Sequence, residues 1–201
     1  MFPAATMVSL TTPCAIRFAA QERWDGRLLV FDYYHKLTPA QQAVYRRSDA
    51  ITHVAVGRRH GLNANVAALR VALQSGRCDR VASDSRALIA ALTEQLEVPR
   101  VRVKVLAVRP HDDWGELHGM YEPGERRRMA CITLWMRTAK RQQVVAFRTF
   151  LRTLLHELCH HLDYLHYEFD DSYHTEGFYQ REASLFRQLV PLQSGKGRLD
   201  V

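Results

Sequence analysis

The chain has 201 residues, of which 47% are hydrophobic and 24% are charged. These proportions are ordinary for a globular protein and exclude the fibrous and intrinsically disordered classes, and the length suffices to bury one hydrophobic core. Basic residues outnumber acidic residues by 28 to 21, which gives a net charge of +7. A polyanion such as nucleic acid is therefore a partner to consider.

The charges are unevenly distributed along the chain. Residues 1–155 contain 24 basic and 13 acidic side chains, whereas residues 156–201 contain 4 and 8. The four cysteines are far apart and form no CxxC pair, so we expect neither a disulfide framework nor a cysteine-based zinc ribbon, and we expect a cytoplasmic protein. No stretch approaches the roughly 18 consecutive apolar residues of a membrane span, so no membrane partner is expected.

Residues 1–98 are predicted to form a helical extension that packs on the rest of the chain. The first twenty or so residues lack periodicity and are expected to be a loose arm, and the apolar run 27–34 fits either a strand or a short helix. Helical periodicity then covers residues 39–47, 63–74 and 83–97, the last with Ser83 or Asp84 as its N-cap.

Residues 99–192 are predicted to form an α+β core, followed by a flexible tail at 193–201. Residues 100–108 alternate between charged and apolar side chains, which is the pattern of a half-buried strand. Two further strands, at residues 114–121 and 129–136, complete a small sheet. Two helices follow it, at residues 143–165 and 177–189.

The predicted helix 143–165 contains the motif HExxH, formed by His156, Glu157 and His160. Two histidines four residues apart lie on one face of a helix, so their imidazoles can bind one metal ion. The adjacent glutamate then reaches a water molecule that the metal activates. Because leucine and phenylalanine side chains cluster on the opposite face of this helix, the histidine pair is predicted to face a polar cleft.

A catalytic zinc site needs a third protein ligand. His174 lies 14 residues after His160, in a loop long enough to return to the metal, and it is the preferred third ligand. The alternatives are Glu182 on the last predicted helix and Asp163 on the motif helix. Asp163 is better placed to hydrogen-bond one of the histidine ligands than to bind the metal itself. The predicted site is therefore Zn²⁺ held by His156, His160 and His174.

The run HELCHHLDYLHYEFDDSYHTEGFYQRE resembles the active-site segment of SprT-like (Spartan-type) zinc metalloproteases. In that family a histidine follows HExxH after about fifteen residues, and an aromatic residue lies four positions beyond it. His156, Glu157, His160, His174 and Phe178 match this pattern. The resemblance implies a zincin-like fold and a zinc-dependent endopeptidase that acts on proteins, DNA-associated proteins among them.

Together these features predict a single α+β, zincin-like metalloprotease domain with a small sheet, an HExxH active-site helix and an N-terminal helical extension. Glu157 is the predicted general base. In zinc proteases of this architecture an edge strand pairs with the extended substrate. Residues 131–135 either do so or form a buried strand without substrate contact. Seven side chains are compatible with a role in stabilising the oxyanion: Tyr121, His161, Tyr164, His166, Tyr173, Tyr179 and Arg181.

A stretch of eight basic residues without an acidic one precedes the motif: Arg126, Arg127, Arg128, Arg137, Lys140, Arg141, Arg148 and Arg152. It fits either a DNA-binding surface beside the cleft or an ordinary solvated basic face. The alternative to an enzyme is a non-catalytic, zinc-containing protein that binds nucleic acid or regulates a partner and retains a vestigial protease site. A fourth protein ligand on the metal would favour that alternative.

Overall fold

The computed structural model describes residues 14–17, 31–57, 59–112, 115–125 and 128–190. The predicted α+β class is confirmed. The elements in chain order are β1 (Cys14–Arg17), a 3₁₀ helix (Asp32–Lys36), α1 (Pro39–Asp49), α2 (Arg59–Ser75), α3 (Cys78–Gln95), β2 (Arg102–Val108), β3 (His111–Asp112), β4 (Gly115–Glu122), β5 (Cys131–Arg137), α4 (Phe147–Leu165) and α5 (Glu176–Leu189).

Two predictions for the beginning of the chain fall partly outside the described residues. Within the expected loose arm, residues 14–17 form β1, which pairs with β4. Of the run 27–34, the structure describes residues 31–34, and residues 32–34 belong to the 3₁₀ helix. The short-helix alternative therefore holds for this part. The predicted tail 193–201 lies outside the described residues.

The three predicted N-terminal helices are present, but α3 begins five residues earlier than expected. Gly76 adopts a left-handed backbone (φ 66°) directly after α2, which ends that helix and reverses the chain in a tight turn. The next helix therefore starts at once, and neither Ser83 nor Asp84 caps it because both lie inside α3.

The sheet has the strand order β1-β4-β5-β2, and the short β3 pairs with β4. β5 is parallel to β2 and antiparallel to β4. The three predicted strands therefore form one small sheet. Of the two alternatives for residues 131–135, the structure shows the buried strand and excludes the edge strand, since β5 lies between two neighbours and residues 131–136 are buried throughout.

α4 begins at Phe147, four residues later than predicted, because the chain before it still bonds to the sheet. Val144 bridges to Arg137, and Val145 N donates to Met136 O at 2.8 Å. α4 then packs on β4 and β5, and α5 packs on α4. One apolar core joins the sheet to the helices and includes Leu69, Leu88, Ile132, Leu154 and Leu185. Within the described ranges, no helix combines the length and apolar composition needed to cross a membrane.

Candidate metal centre

α4 carries the three motif residues into the interior of the molecule. The exposed fraction of His156 is 2%, and Glu157 and His160 are fully buried. The polar face of α4 is therefore not open to solvent, because α5 and the segment 166–175 cover it. His174, at the end of that segment, is half-buried against the same face.

The structure brings His156, His160 and His174 together through their Nε2 atoms. His174 Nε2 lies 2.9 Å from His156 Nε2 and 3.1 Å from His160 Nε2, and the three nitrogens lie within 4.8 Å of one another. Two nitrogens bound to one tetrahedral zinc at about 2.0–2.1 Å would lie about 3.3 Å apart. The three histidines are thus close enough to bind one metal ion.

Glu182, one of the alternative ligands, contacts His156 on the opposite ring nitrogen. Its Oε2 lies 3.1 Å from His156 Nδ1, and Arg152 donates to its Oε1 at 3.3 Å. Since a carboxylate accepts but does not donate, His156 carries its hydrogen on Nδ1 and presents the lone pair of Nε2 to the cluster. Glu182 therefore orients a potential ligand and is not one of the three converging groups.

A second chain of hydrogen bonds orients His160. Its Nδ1 lies 2.7 Å from Ser172 Oγ, which donates to Asp163 Oδ2 at 2.7 Å, and Arg181 donates to Asp163 Oδ1 at 2.7 Å. Because Ser172 uses its single hydrogen on the carboxylate, it accepts from His160 Nδ1, and Nε2 again presents a lone pair. Asp163, the other alternative ligand, therefore also lies outside the cluster.

These contacts match the needs of a cation. Two lone pairs converge on His174 Nε2, which can donate one hydrogen to only one of them, so a metal ion satisfies the arrangement better than hydrogen bonding does. Burial, with a smaller effect from the neighbouring His156, lowers the pKa of His174 to about 3, and burial also holds the pKa of His160 well below its usual value. Neutral imidazole is the form that binds metals.

Glu157 is fully buried, and neither carboxylate oxygen has a hydrogen-bond partner within the protein. Burial, followed by the charge of Glu182, raises its pKa well above the usual value. β4 passes close to this carboxylate at Gly119, where an added Cβ would overlap Glu157 Oε1 and lie 2.7 Å from Thr153 Cγ2. A larger residue here would therefore displace the Glu157 carboxylate, and glycine within a predicted strand was the sequence signal for the close approach.

Phe178 packs against the imidazoles of the motif helix. Its ring centroid lies 4.8 Å from that of His156 and 4.7 Å from that of His160, and the side chain is fully buried. The hydroxyl of Thr175 caps α5 by accepting from Phe178 N at 3.0 Å. Thr175, the residue after His174, therefore fixes the start of α5, the helix that carries Phe178.

Most of the seven oxyanion candidates are committed to other contacts. Arg181 is fully buried on Asp163, His161 Nε2 contacts Pro99 O at 2.7 Å, and Tyr121 OH contacts His161 Nδ1 at 3.1 Å. Tyr173 belongs to a separate apolar cluster, and Tyr164 and His166 lie at the end of α4. The half-buried ring of Tyr179 lies close to two of the three histidines, 5.9 Å from His174 and 6.0 Å from His156 between centroids.

Several residues of the basic stretch before the motif contact other parts of the protein. Arg128 pairs with Glu122 at 3.4 Å, and Arg137 donates to backbone carbonyls of two turns. Arg148 and Arg152 stack over Phe186 of α5. These contacts reduce the number of charges from this stretch that a nucleic acid could engage, while Arg126 and Arg127 lie outside the described residues.

Neither a protein-family model, nor a curated protein, nor a solved structure matches this chain. The likeness to SprT-like proteases therefore remains a prediction from the motif residues.

Proposed function

We propose that the protein is a zinc-dependent metallopeptidase with a zincin-like domain of SprT-like type, which hydrolyses peptide bonds in protein substrates. One observation carries the proposal: three histidine nitrogens come together on and around α4, and Glu157, which is next to His156 in the motif, has a buried carboxylate with no partner in the protein. His156, His160 and His174 would hold the zinc. When bound, zinc supplies Lewis acidity, which polarises a peptide carbonyl and makes water more acidic.

Glu157 performs the proton transfers in this proposal. A buried carboxylate with no internal hydrogen bond is a strong base for a water molecule placed beside it, so one of its oxygens takes the proton of the attacking water. The same oxygen then returns that proton to the leaving amine. Gly119 leaves the carboxylate its space, and Tyr179 is the best-placed side chain to donate a hydrogen bond to the oxyanion.

The surroundings of the cluster favour a catalytic site over a structural one. Among the described residues, no fourth His, Cys, Asp or Glu joins the three histidines, and the two alternative ligands are engaged elsewhere, Glu182 with His156 Nδ1 and Asp163 with Arg181. A structural zinc site is usually closed by four protein ligands, whereas a catalytic site has three. The described residues therefore do not supply the fourth ligand that would favour the non-catalytic alternative.

Metal analysis and a cleavage assay test the proposal together. The purified protein should contain about one zinc ion per chain, and His156→Ala should lose it while His166→Ala, an exposed histidine on the C-cap of α4, should retain it. Glu157→Gln should keep the zinc and reduce cleavage of fluorescent casein by about 10²–10⁴-fold. Glu94→Gln, an exposed glutamate on α3, is the matched control and should cleave normally.

Two outcomes would refute the proposal. A protein purified without chelators that contains no zinc and gains none on addition would exclude the metal site. Undiminished casein cleavage by Glu157→Gln would exclude Glu157 as the base.

A further inference from the structure

The three histidines of the candidate metal centre are carried by two different parts of the chain. His156 and His160 lie four residues apart on α4, and the helical backbone fixes their spacing. His174 lies between α4 and α5, in a segment without regular secondary structure. Its position must therefore be set by contacts with other parts of the protein.

The residue before His174 packs on α1. The ring centroid of Tyr173 lies 6.0 Å from that of Tyr45 on α1, and 6.3 Å from that of Tyr33 on the 3₁₀ helix. Tyr45 and Tyr173 are both buried, and they belong to an apolar cluster that is separate from the main core. α1 therefore holds the chain in place directly before His174.

The residues after His174 contact the last turn of the same helix. Thr175 and Ser48 are fully buried, and their hydroxyl oxygens lie 3.4 Å apart. Gly177 N donates to Asp49 Oδ1 at 3.0 Å. A Cβ at position 177 would overlap Asp49 O and lie 2.6 Å from Ser48 O, so the end of α1 touches the backbone of the first turn of α5.

We propose that the end of α1 is the positioning element of the third ligand, with Tyr45 and Asp49 as positioning residues for His174. Tyr45 holds the chain before this histidine, and Asp49 holds the chain after it. The Nε2 atom of His174 therefore stays beside those of His156 and His160. A ligand that reaches its site only part of the time lowers the apparent affinity for the metal by that fraction. The inference rests on the proposed function, since it names what fixes one ligand of that same site.

Gly177→Ala tests the contact without altering a histidine. The added Cβ should push the first turn of α5 away from the end of α1, so that His174 leaves the cluster for part of the time. Gly61→Ala, on the exposed side of α2, is the matched control because a Cβ there meets no atom within 4 Å. Both variants are made in the full chain.

The affinity for Zn²⁺ is measured by competition with a chelator. If His174 is at the cluster about a tenth of the time in Gly177→Ala, the apparent Kd for Zn²⁺ should rise roughly tenfold, whereas Gly61→Ala should bind like the unmodified chain. Equal Kd values in Gly177→Ala and Gly61→Ala would overturn the proposal.

A second background separates positioning from a general loosening of the fold. In a chain that carries His174→Ala, the further change Gly177→Ala should alter the Kd for Zn²⁺ by less than about twofold, because the ligand on which it acts is already gone. A general loosening would instead weaken binding by the same factor in both backgrounds. That result would also overturn the proposal.

Two substitutions of Asp49 cover the case in which Gly177→Ala does not fold. Asparagine keeps an oxygen that can accept from Gly177 N, whereas alanine does not. Asp49→Ala should therefore weaken Zn²⁺ binding, and Asp49→Asn should retain most of the affinity of the unmodified chain. Equal affinities in the two variants would overturn the proposal.

These measurements need no peptidase activity, so they distinguish the inference from the proposed function. If Gly177→Ala weakens Zn²⁺ binding as expected but casein cleavage does not depend on Glu157, the peptidase is refuted and the positioning element stands. If cleavage depends on zinc and Glu157 but Gly177→Ala binds Zn²⁺ normally, the positioning element alone is refuted. Absence of Zn²⁺ binding by the unmodified chain would refute both.

Discussion

Replacing Arg181 with methionine tests how much a buried ion pair next to the candidate metal centre contributes to stability. Arg181 is fully buried and donates to Asp163 Oδ1 at 2.7 Å, to Ser48 O at 2.6 Å and to Ile51 O at 2.7 Å. It therefore ties α5 to α4 and to the end of α1. The substitution leaves a buried carboxylate without its counter-charge and removes a hydrogen-bond donor from the carbonyls of Ser48 and Ile51.

Removing one partner of a buried ion pair typically costs 3–5 kcal/mol, so we expect Arg181→Met to lower the free energy of unfolding by about 4 kcal/mol. With a urea slope of about 2 kcal/mol/M, the unfolding midpoint should fall by ~2 M. Equilibrium urea unfolding, monitored by circular dichroism on metal-free protein, measures this directly. Arg187→Met on the exposed side of the same helix is the control and should change the free energy of unfolding by less than about 0.5 kcal/mol.

The double variant Asp163→Asn/Arg181→Met separates the charge from the packing. Without the carboxylate, the loss of the guanidinium no longer leaves an uncompensated buried charge, so the double variant should recover roughly half of the lost stability. A loss below about 1 kcal/mol in Arg181→Met, or strictly additive losses in the double variant, would refute the reasoning.

Three further predictions concern the groups around the histidines. Glu182→Gln should weaken zinc affinity about 10–100-fold, measured by competition with a chelator, because its neutral amide orients His156 less strongly than a carboxylate does. Gly119→Ala should displace the carboxylate of Glu157 and reduce casein cleavage while the zinc content stays near one per chain, since the added Cβ overlaps Oε1. Burial raises the pKa of Asp163 to about 6, so its contribution to the stability of metal-free protein is complete below about pH 4 and is lost as the pH rises through 6. Asp163→Asn should therefore show a flatter dependence of the free energy of unfolding between these pH values.

Matched variants make these outcomes specific. Glu176→Gln on the first turn of α5 should leave the zinc affinity unchanged, and an equal loss in it would show that Glu182 has no special role. Gly57→Ala should leave casein cleavage unchanged, because a Cβ there meets no atom within 4 Å. A constant stability difference between Asp163→Asn and the unmodified chain from pH 4 to pH 6 would contradict the assigned pKa.

The histidine pair was predictable from sequence because the helical repeat alone places residues four apart on one face. The residues that orient the pair were harder to predict from sequence. Ser172 lies in a loop without periodicity, and the loop conformation that brings it to His160 depends on contacts between distant segments. Glu182 and Asp163 were identified as acidic residues near the site, but spacing could not distinguish a metal ligand from a residue that holds a ligand.

The errors in the sheet have a similar origin. Periodicity along one segment predicts a strand but not its neighbours, so the order that places β5 between β4 and β2 could not be read from it. The largely apolar run of β5, interrupted only by Thr133, was nevertheless typical of an interior strand and favoured the buried alternative. β1 was missed because four residues are too few to show an alternating pattern, and the strand forms only by pairing with residues a hundred positions away.

The buried charges of α4 and α5 provide an independent argument that a cation belongs at the cluster. Glu157, Asp163 and Glu182 are three buried carboxyl groups, whereas Arg181 is the fully buried cation beside them and Arg152, which pairs with Glu182, is about half exposed. Burying uncompensated negative charge is costly unless a counter-charge lies nearby. A divalent ion among three neutral imidazoles supplies that charge without another basic side chain, which gives a physical reason for the acidic excess in the part of the chain that follows residue 155.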